Sequence, residues 1–111
     1  MRLLERSGYE AALAGKPVAV RRHFSLFVQA NALKRPRIGI IVSKKVAPRA
    51  VDRNRIKRLV RETFRQDRWR LESNDLVVLA RRCPAPTGWN AARGEVAALF
   101  VLARRLDAVS G

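Results

Sequence analysis

The sequence is poor in the residues that carry covalent and metal chemistry. Among 111 residues it has one histidine, His23, and one cysteine, Cys83. A lone cysteine cannot close an internal disulfide, which fits a reducing compartment. The carboxylates Glu5, Glu10, Asp52, Glu62, Asp67, Glu72, Asp75, Glu95 and Asp107 are scattered along the chain. A metal site needs several His, Cys or carboxylate ligands converging, usually with a short spacing signature. No stretch has that spacing, and no Gly-rich phosphate loop or nucleophile elbow is present. The expectation is a chain with no catalytic residue and no metal or cofactor of its own. His23, beside two arginines, reads as a surface strand residue, and Cys83, before Pro84, as the end of a strand.

Long apolar runs are also missing. The longest are Ile38–Val42, Leu76–Ala80 and Val96–Ala103, all far below the roughly 20 residues that span a bilayer. Arg2, Glu5, Arg6 and Glu10 interrupt any apolar segment of a signal peptide. A cytoplasmic protein without a membrane partner is expected.

What the chain has is positive charge. Lys and Arg number 24 against 9 Asp and Glu, a net +15, while 48% of the residues are apolar. That apolar share can build a core, so the charge does not signal disorder. About 110 residues make one domain, here taken as residues 1–111. A charge this far from zero calls for a polyanion, nucleic acid before an anionic membrane. Of the cations 19 are arginine, whose planar fork suits phosphates and stacked bases, although a GC-rich genome favours arginine too.

Ser7 and Glu10 form a capping box, and Gly15 and Pro17 stop the short helix Gly8–Ala14 that it starts. Arg22–Ala30 alternates: Phe24, Leu26 and Val28 share one strand face, and His23, Ser25, Phe27 and Gln29 the other. Phe27 on that polar face either offers a base-stacking platform or packs under a neighbouring helix, and alternation alone does not choose. Asn31–Pro36 is a turn. Ile38–Ser43 is apolar on both faces and is expected to be a central strand. Arg49 to about Arg70 has helical periodicity, Leu76–Arg82 is a third apolar strand, and Asn90 to about Leu106 is the last helix. The order α, β, β, α, β, α predicts an α+β sandwich of helices on one small sheet.

The middle helix concentrates the charge. Arg49, Arg53, Arg55, Lys57, Arg58, Arg61, Arg65, Arg68 and Arg70 face only Asp52, Glu62 and Asp67 in sequence. At about 100° per residue, Ile56, Leu59, Val60, Thr63 and Phe64 fall on one arc, and Lys57, Arg58, Arg61, Arg65 and Arg68 on the adjoining one. Successive cations lie about one turn apart, roughly 5 Å, and repel each other until an anion arrives. An idle surface helix would carry mixed-sign pairs instead. The pattern does not separate RNA from DNA.

Ser43-Lys44-Lys45 followed by Arg53-Asn54-Arg55-Ile56-Lys57-Arg58-Leu59-Val60-Arg61-Glu62 closely resembles the signature of the bacterial ribonuclease P protein family, with its R-N-R-x-K-R-x-x-R core. The strands Gly39–Lys45, G-x-x-V-S-K-K, and Asp75–Arg81, D-x-V-x-x-A-R, match as well, and the resemblance runs from about Arg2 to Leu106. It implies a single-domain α/β sandwich with a small four-stranded mixed sheet and a left-handed βαβ crossover through the basic helix, against the usual right-handed preference. It further implies that catalysis belongs to an RNA subunit using magnesium, which removes the 5′ leader of precursor tRNA. The protein would bind both RNAs, and no protein partner is implied.

Carried over by position, the resemblance assigns Arg53, Asn54, Arg55, Arg58, Arg61 and Arg65 to the catalytic RNA. It assigns Tyr9, Leu13, Phe27, Lys57 and Arg61 to the leader, with Lys44, Lys45 and Arg68 as additional basic contacts. With the resemblance, Phe27 becomes an expected leader contact. Leu13 stands where relatives commonly have an aromatic, and Val46–Asp52 looks like a longer variant of its loop. Size and charge alone would also suit a general or ribosomal RNA-binding protein.

Overall fold

The computed structural model describes residues 13–30, 36–67 and 74–110. Tyr9, Arg68, the turn at 31–35 and most of the capping-box helix lie outside the described residues; Leu13 is helical and is followed by a turn. Four strands form one sheet in the order β1-β2-β4-β3: β1 (Ala19–Val20), β2 (Phe24–Ala30), β3 (Arg37–Ile41) and β4 (Asn74–Ala80). The helices are α1 (Ala50–Asp67) and α2 (Trp89–Ser110). β2 pairs antiparallel with both β1 and β4, while β3 runs parallel to β4. The sheet is therefore mixed, as expected, and the parallel pair is joined through α1, which returns the chain to the start of β4.

Both helices cover one face. Phe24 and Leu26 of β2, Ile38 of β3, and Leu76, Val78 and Ala80 of β4 pack with Ile56, Leu59, Val60 and Phe64 of α1 and with Val96, Leu99, Phe100 and Ala103 of α2. The helix positions recur at three- and four-residue spacing, so burying them fixes which side of each helix turns inward. Phe64 and Phe100 meet edge to face, ring centroids 6.0 Å apart, the arrangement that ring quadrupoles favour.

Three expectations are corrected. Ile38–Ser43 is not central: among the described residues β3 is an edge of the sheet, with β4 alone beside it. Its two apolar faces have another cause. Ile38 and Ile40 turn toward the helices, and Ile41 packs on the opposite face against Phe27 and Val77. Alternation reports which faces are covered, whereas edge or centre depends on lateral neighbours, which no periodicity encodes. Cys83 does not end a strand, because β4 stops at Ala80; the two-residue β1, too short to leave a pattern in the sequence, completes the expected four strands. His23 is not a surface strand residue: it precedes β2, is half-buried, and its Nδ1 lies 2.8 Å from Glu95 Oε2 of α2.

The start of α1 is built by its own loop. Ser43 Oγ accepts from Val46 N at 3.1 Å, and Ser43 O accepts from Ala47 N at 3.0 Å. This turn swings Lys44 and Lys45 outward, both exposed. The Arg49 carbonyl accepts from Asp52 N and Arg53 N. Asp52 in the first turn and Arg65 in the last complement the helix dipole.

Candidate nucleic-acid interface

With Ile56, Val60 and Phe64 held in the core, the outward surface of α1 is fixed, and three rows at i, i+4, i+8 spacing divide it. Asn54, Arg58 and Glu62 form the middle row. On one flank Lys57, Arg61 and Arg65 join them around an open groove of about 480 Å³. On the other, Val51, Arg55 and Leu59 join Trp89, Asn90 and Arg93 of α2 around a second groove of about 720 Å³.

The expected cations thus separate into three settings. Lys57, Arg58, Arg61 and Arg65 share the first groove with Asn54. Among the described residues none of these four forms an ion pair with a carboxylate, although Glu62 stands among them. Arg53 turns back instead: its Nη1 donates to the carbonyls of Ala47 and Pro48 at 2.9 and 2.8 Å. It ties the helix to its loop and has part of its guanidinium committed there. Arg55 lies on the second flank, its guanidinium carbon 4.1 Å from the centroid of the Trp89 ring. Lys44 and Lys45 stand in the turn that leads into α1.

The sheet face away from the helices carries the other expected site. Phe27, in register with Val77, packs with Val77, Ile41 and Leu79 and is only 8% exposed. The two described long helices, α1 and α2, lie on the opposite face. The neighbours of Phe27 among the described residues are strand residues. Asp75, next along that face and buried, accepts from Arg37 Nε and Nη2, both at 2.7 Å. Leu13 is 38% exposed at the end of its helical turn.

The sequence reading missed Trp89, Asn90 and Arg93. No local signal joins Arg55 to a tryptophan 34 positions later; only the packing of α2 beside α1 does so. Among the described residues no group of three or more His, Cys, Asp or Glu could hold a metal ion, and no helix is long and apolar enough to cross a membrane.

The Ribonuclease P family model matches residues 1–104. The ribonuclease P protein component of Idiomarina loihiensis is 46% identical over 83 residues, covering 74% of this chain and 66% of that protein. That of Thioalkalivibrio sulfidiphilus is 57% identical over 70 residues, covering 63% and 57%. The matched stretch thus spans somewhat less than two thirds of these relatives. The solved structure of the RNase P protein from Thermotoga maritima superposes with a TM-score of 0.73 at 26% identity, covering 95% of this chain and 96% of that one.

Proposed function

The chain belongs to the ribonuclease P protein family, and we propose on that premise that it is the RNA-binding protein subunit of ribonuclease P. In this reading the catalyst is the RNA subunit, and the reaction is endonucleolytic hydrolysis that removes the 5′ leader of precursor tRNA. Magnesium belongs to that RNA. The work takes place in the cytoplasm.

The observation that carries the reading is the outer surface of α1. Lys57, Arg58, Arg61 and Arg65 are presented along one groove and, among the described residues, form no ion pair with a carboxylate, Glu62 in that groove included. Holding like charges one turn apart costs folding free energy, and a phosphate backbone offsets that cost on binding while releasing its own counterions. Arg58, Arg61 and Arg65 with Asn54 and Arg55 serve the catalytic RNA. Arg53 positions the helix as well as contributing charge. Lys44 and Lys45 extend the positive surface from the adjoining turn.

The leader of the precursor runs past Lys57 and Arg61 and along the sheet face of Phe27, and the family resemblance adds Tyr9 and Leu13 as leader contacts. Recognition of a single strand by a basic groove and an aromatic requires little sequence information, which suits a leader that differs from one tRNA to the next. A subunit that neutralises both RNAs removes the repulsion between their phosphates.

The experiment is to sequence the RNA that co-purifies with the tagged protein from its own cells. Enrichment of ribonuclease P RNA is expected. Ribosomal RNA without ribonuclease P RNA would favour the general RNA-binding alternative.

A further inference from the structure

Among the described residues, Arg55 is the cation of the central motif that lies over an aromatic face. Its guanidinium carbon lies 4.1 Å from the Trp89 centroid, and Trp89 itself is only 9% exposed. A stacked guanidinium is held flat by the ring, yet all its N–H donors lie in its own plane and stay available at its rim. No carboxylate pairs with Arg55 or Arg93 among the described residues. Trp89 cannot at the same time serve as a platform for a base on the side of its ring that Arg55 covers. The groove therefore offers a preset planar donor, a second cation and an amide, and it selects for a phosphate rather than for a base.

From this we infer that the groove between α1 and α2, formed by Arg55, Trp89, Asn90 and Arg93, is a second phosphate-binding surface for the RNA engaged by α1. In it Trp89 is the residue that positions Arg55. This inference rests on the RNA-binding reading of α1 and extends the interface onto α2. Asn54, Arg58 and Glu62 line both grooves, so the two surfaces are continuous, and one RNA backbone crossing that row meets both. α2 has no acidic residue in its first turn, and its dipole favours an anion near Asn90; Glu62, on the α1 side, is the one carboxylate among the described residues lining the groove, against the three cations Arg55, Arg58 and Arg93. Fixing Arg55 in advance lowers the ordering cost that a free arginine side chain would bear on binding.

The test uses the full chain and its cognate ribonuclease P RNA, with affinity measured across a salt series. Arg93→Ala is expected to weaken binding about tenfold and to lower the salt slope by about one. Arg93 is exposed, so this change leaves the core intact. Positioning is read from a double-mutant cycle. Arg55→Ala should cost much less in the Trp89→Leu background than in the native protein, and Trp89→Phe, which keeps an aromatic face, should restore most of the difference.

An unchanged affinity and slope for Arg93→Ala, while Arg58→Ala still lowers both, would overturn the groove and leave the RNA-binding reading standing. Additive losses for Arg55 and Trp89 would overturn the positioning role. Neither Arg58 nor Arg93 mattering would remove the reading itself.

Discussion

Glu95 of α2 holds His23 and the start of β2 with both of its oxygens. Oε1 accepts from His23 N at 2.8 Å and Phe24 N at 3.0 Å, and Oε2 lies 2.8 Å from His23 Nδ1. The His23 carbonyl in turn accepts from Arg81 N, just beyond β4. One carboxylate thus ties the second helix to the middle of the sheet. It satisfies two backbone donors that would otherwise be stranded in a partly buried place. Glu95→Ala should lower stability by about 2 kcal/mol, read from urea unfolding, whereas His23→Ala, which leaves both backbone bonds, should cost clearly less. Equal losses would show that the side-chain contact, and not the backbone bonds, carries the clamp.

Arg37 and Asp75 are direct partners across the parallel ladder, and their fork-to-fork pair lies on the face away from the helices. Asp75 is buried and Arg37 half-buried. Arg37→Ala strips the buried carboxylate of its bidentate partner and should cost roughly 3 kcal/mol. The double variant Arg37→Leu with Asp75→Leu should recover part of that loss. The check is again equilibrium unfolding; a double variant no better than the single one would argue against the broken Arg37–Asp75 pair as the cause.

Phe27 gives separable structural and binding outcomes. Phe27→Ala empties a buried position and should destabilise by about 3 kcal/mol. Phe27→Leu keeps most of the volume and removes only the aromatic ring. If a leader base meets that ring, Phe27→Leu should weaken binding of leader-bearing precursor by about 1–3 kcal/mol with little change for mature tRNA. Equal changes for both ligands would assign Phe27 to folding alone.

Burial pushes the Cys83 thiol above its ordinary range; Asp52 adds to the shift and Arg49 opposes it. The folded chain therefore keeps a proton that the unfolded chain releases. Stability is independent of this group below the ordinary thiol range and falls as the pH climbs through and above it. At pH 8 Cys83 should alkylate more slowly than the same cysteine in urea. A rate equal to that of the unfolded chain would contradict the burial.

Much of this was legible in the sequence, for identifiable reasons. Residues 56, 59, 60 and 64 had to turn inward because helical periodicity allowed no other face, and that left 57, 58, 61 and 65 outward. The strands around Phe24, Ile38 and Leu76 are visible from apolar alternation or apolar runs, whereas Asn74 and Asp75 read as turn residues and instead begin β4. Lateral order was not: the burial that makes Ile38 and Ile41 apolar is the same at an edge as at a centre. Arg53 read as one more cation, although its loop carbonyls claim part of it, and nothing local joined Arg55 to Trp89 or His23 to Glu95. Contacts made across 34 and 72 positions exist only once the helices are docked.

Arg58 tests the polyanion surface most locally. It lies in the row common to both grooves. Arg58→Ala should weaken catalytic-RNA binding and reduce the slope of log affinity against log salt by about one, because one phosphate contact and its released counterion are lost. An unchanged slope would mean that Arg58 faces water in the complex.

The central claim is that this chain serves a catalytic RNA. The most direct measurement is precursor-tRNA cleavage by the cognate ribonuclease P RNA at low magnesium, with and without the purified protein. The account predicts a clear gain in cleavage at the mature 5′ end when the protein is added, and no cleavage by the protein once all RNA is removed. No gain, or cleavage that survives the removal of RNA, would contradict it.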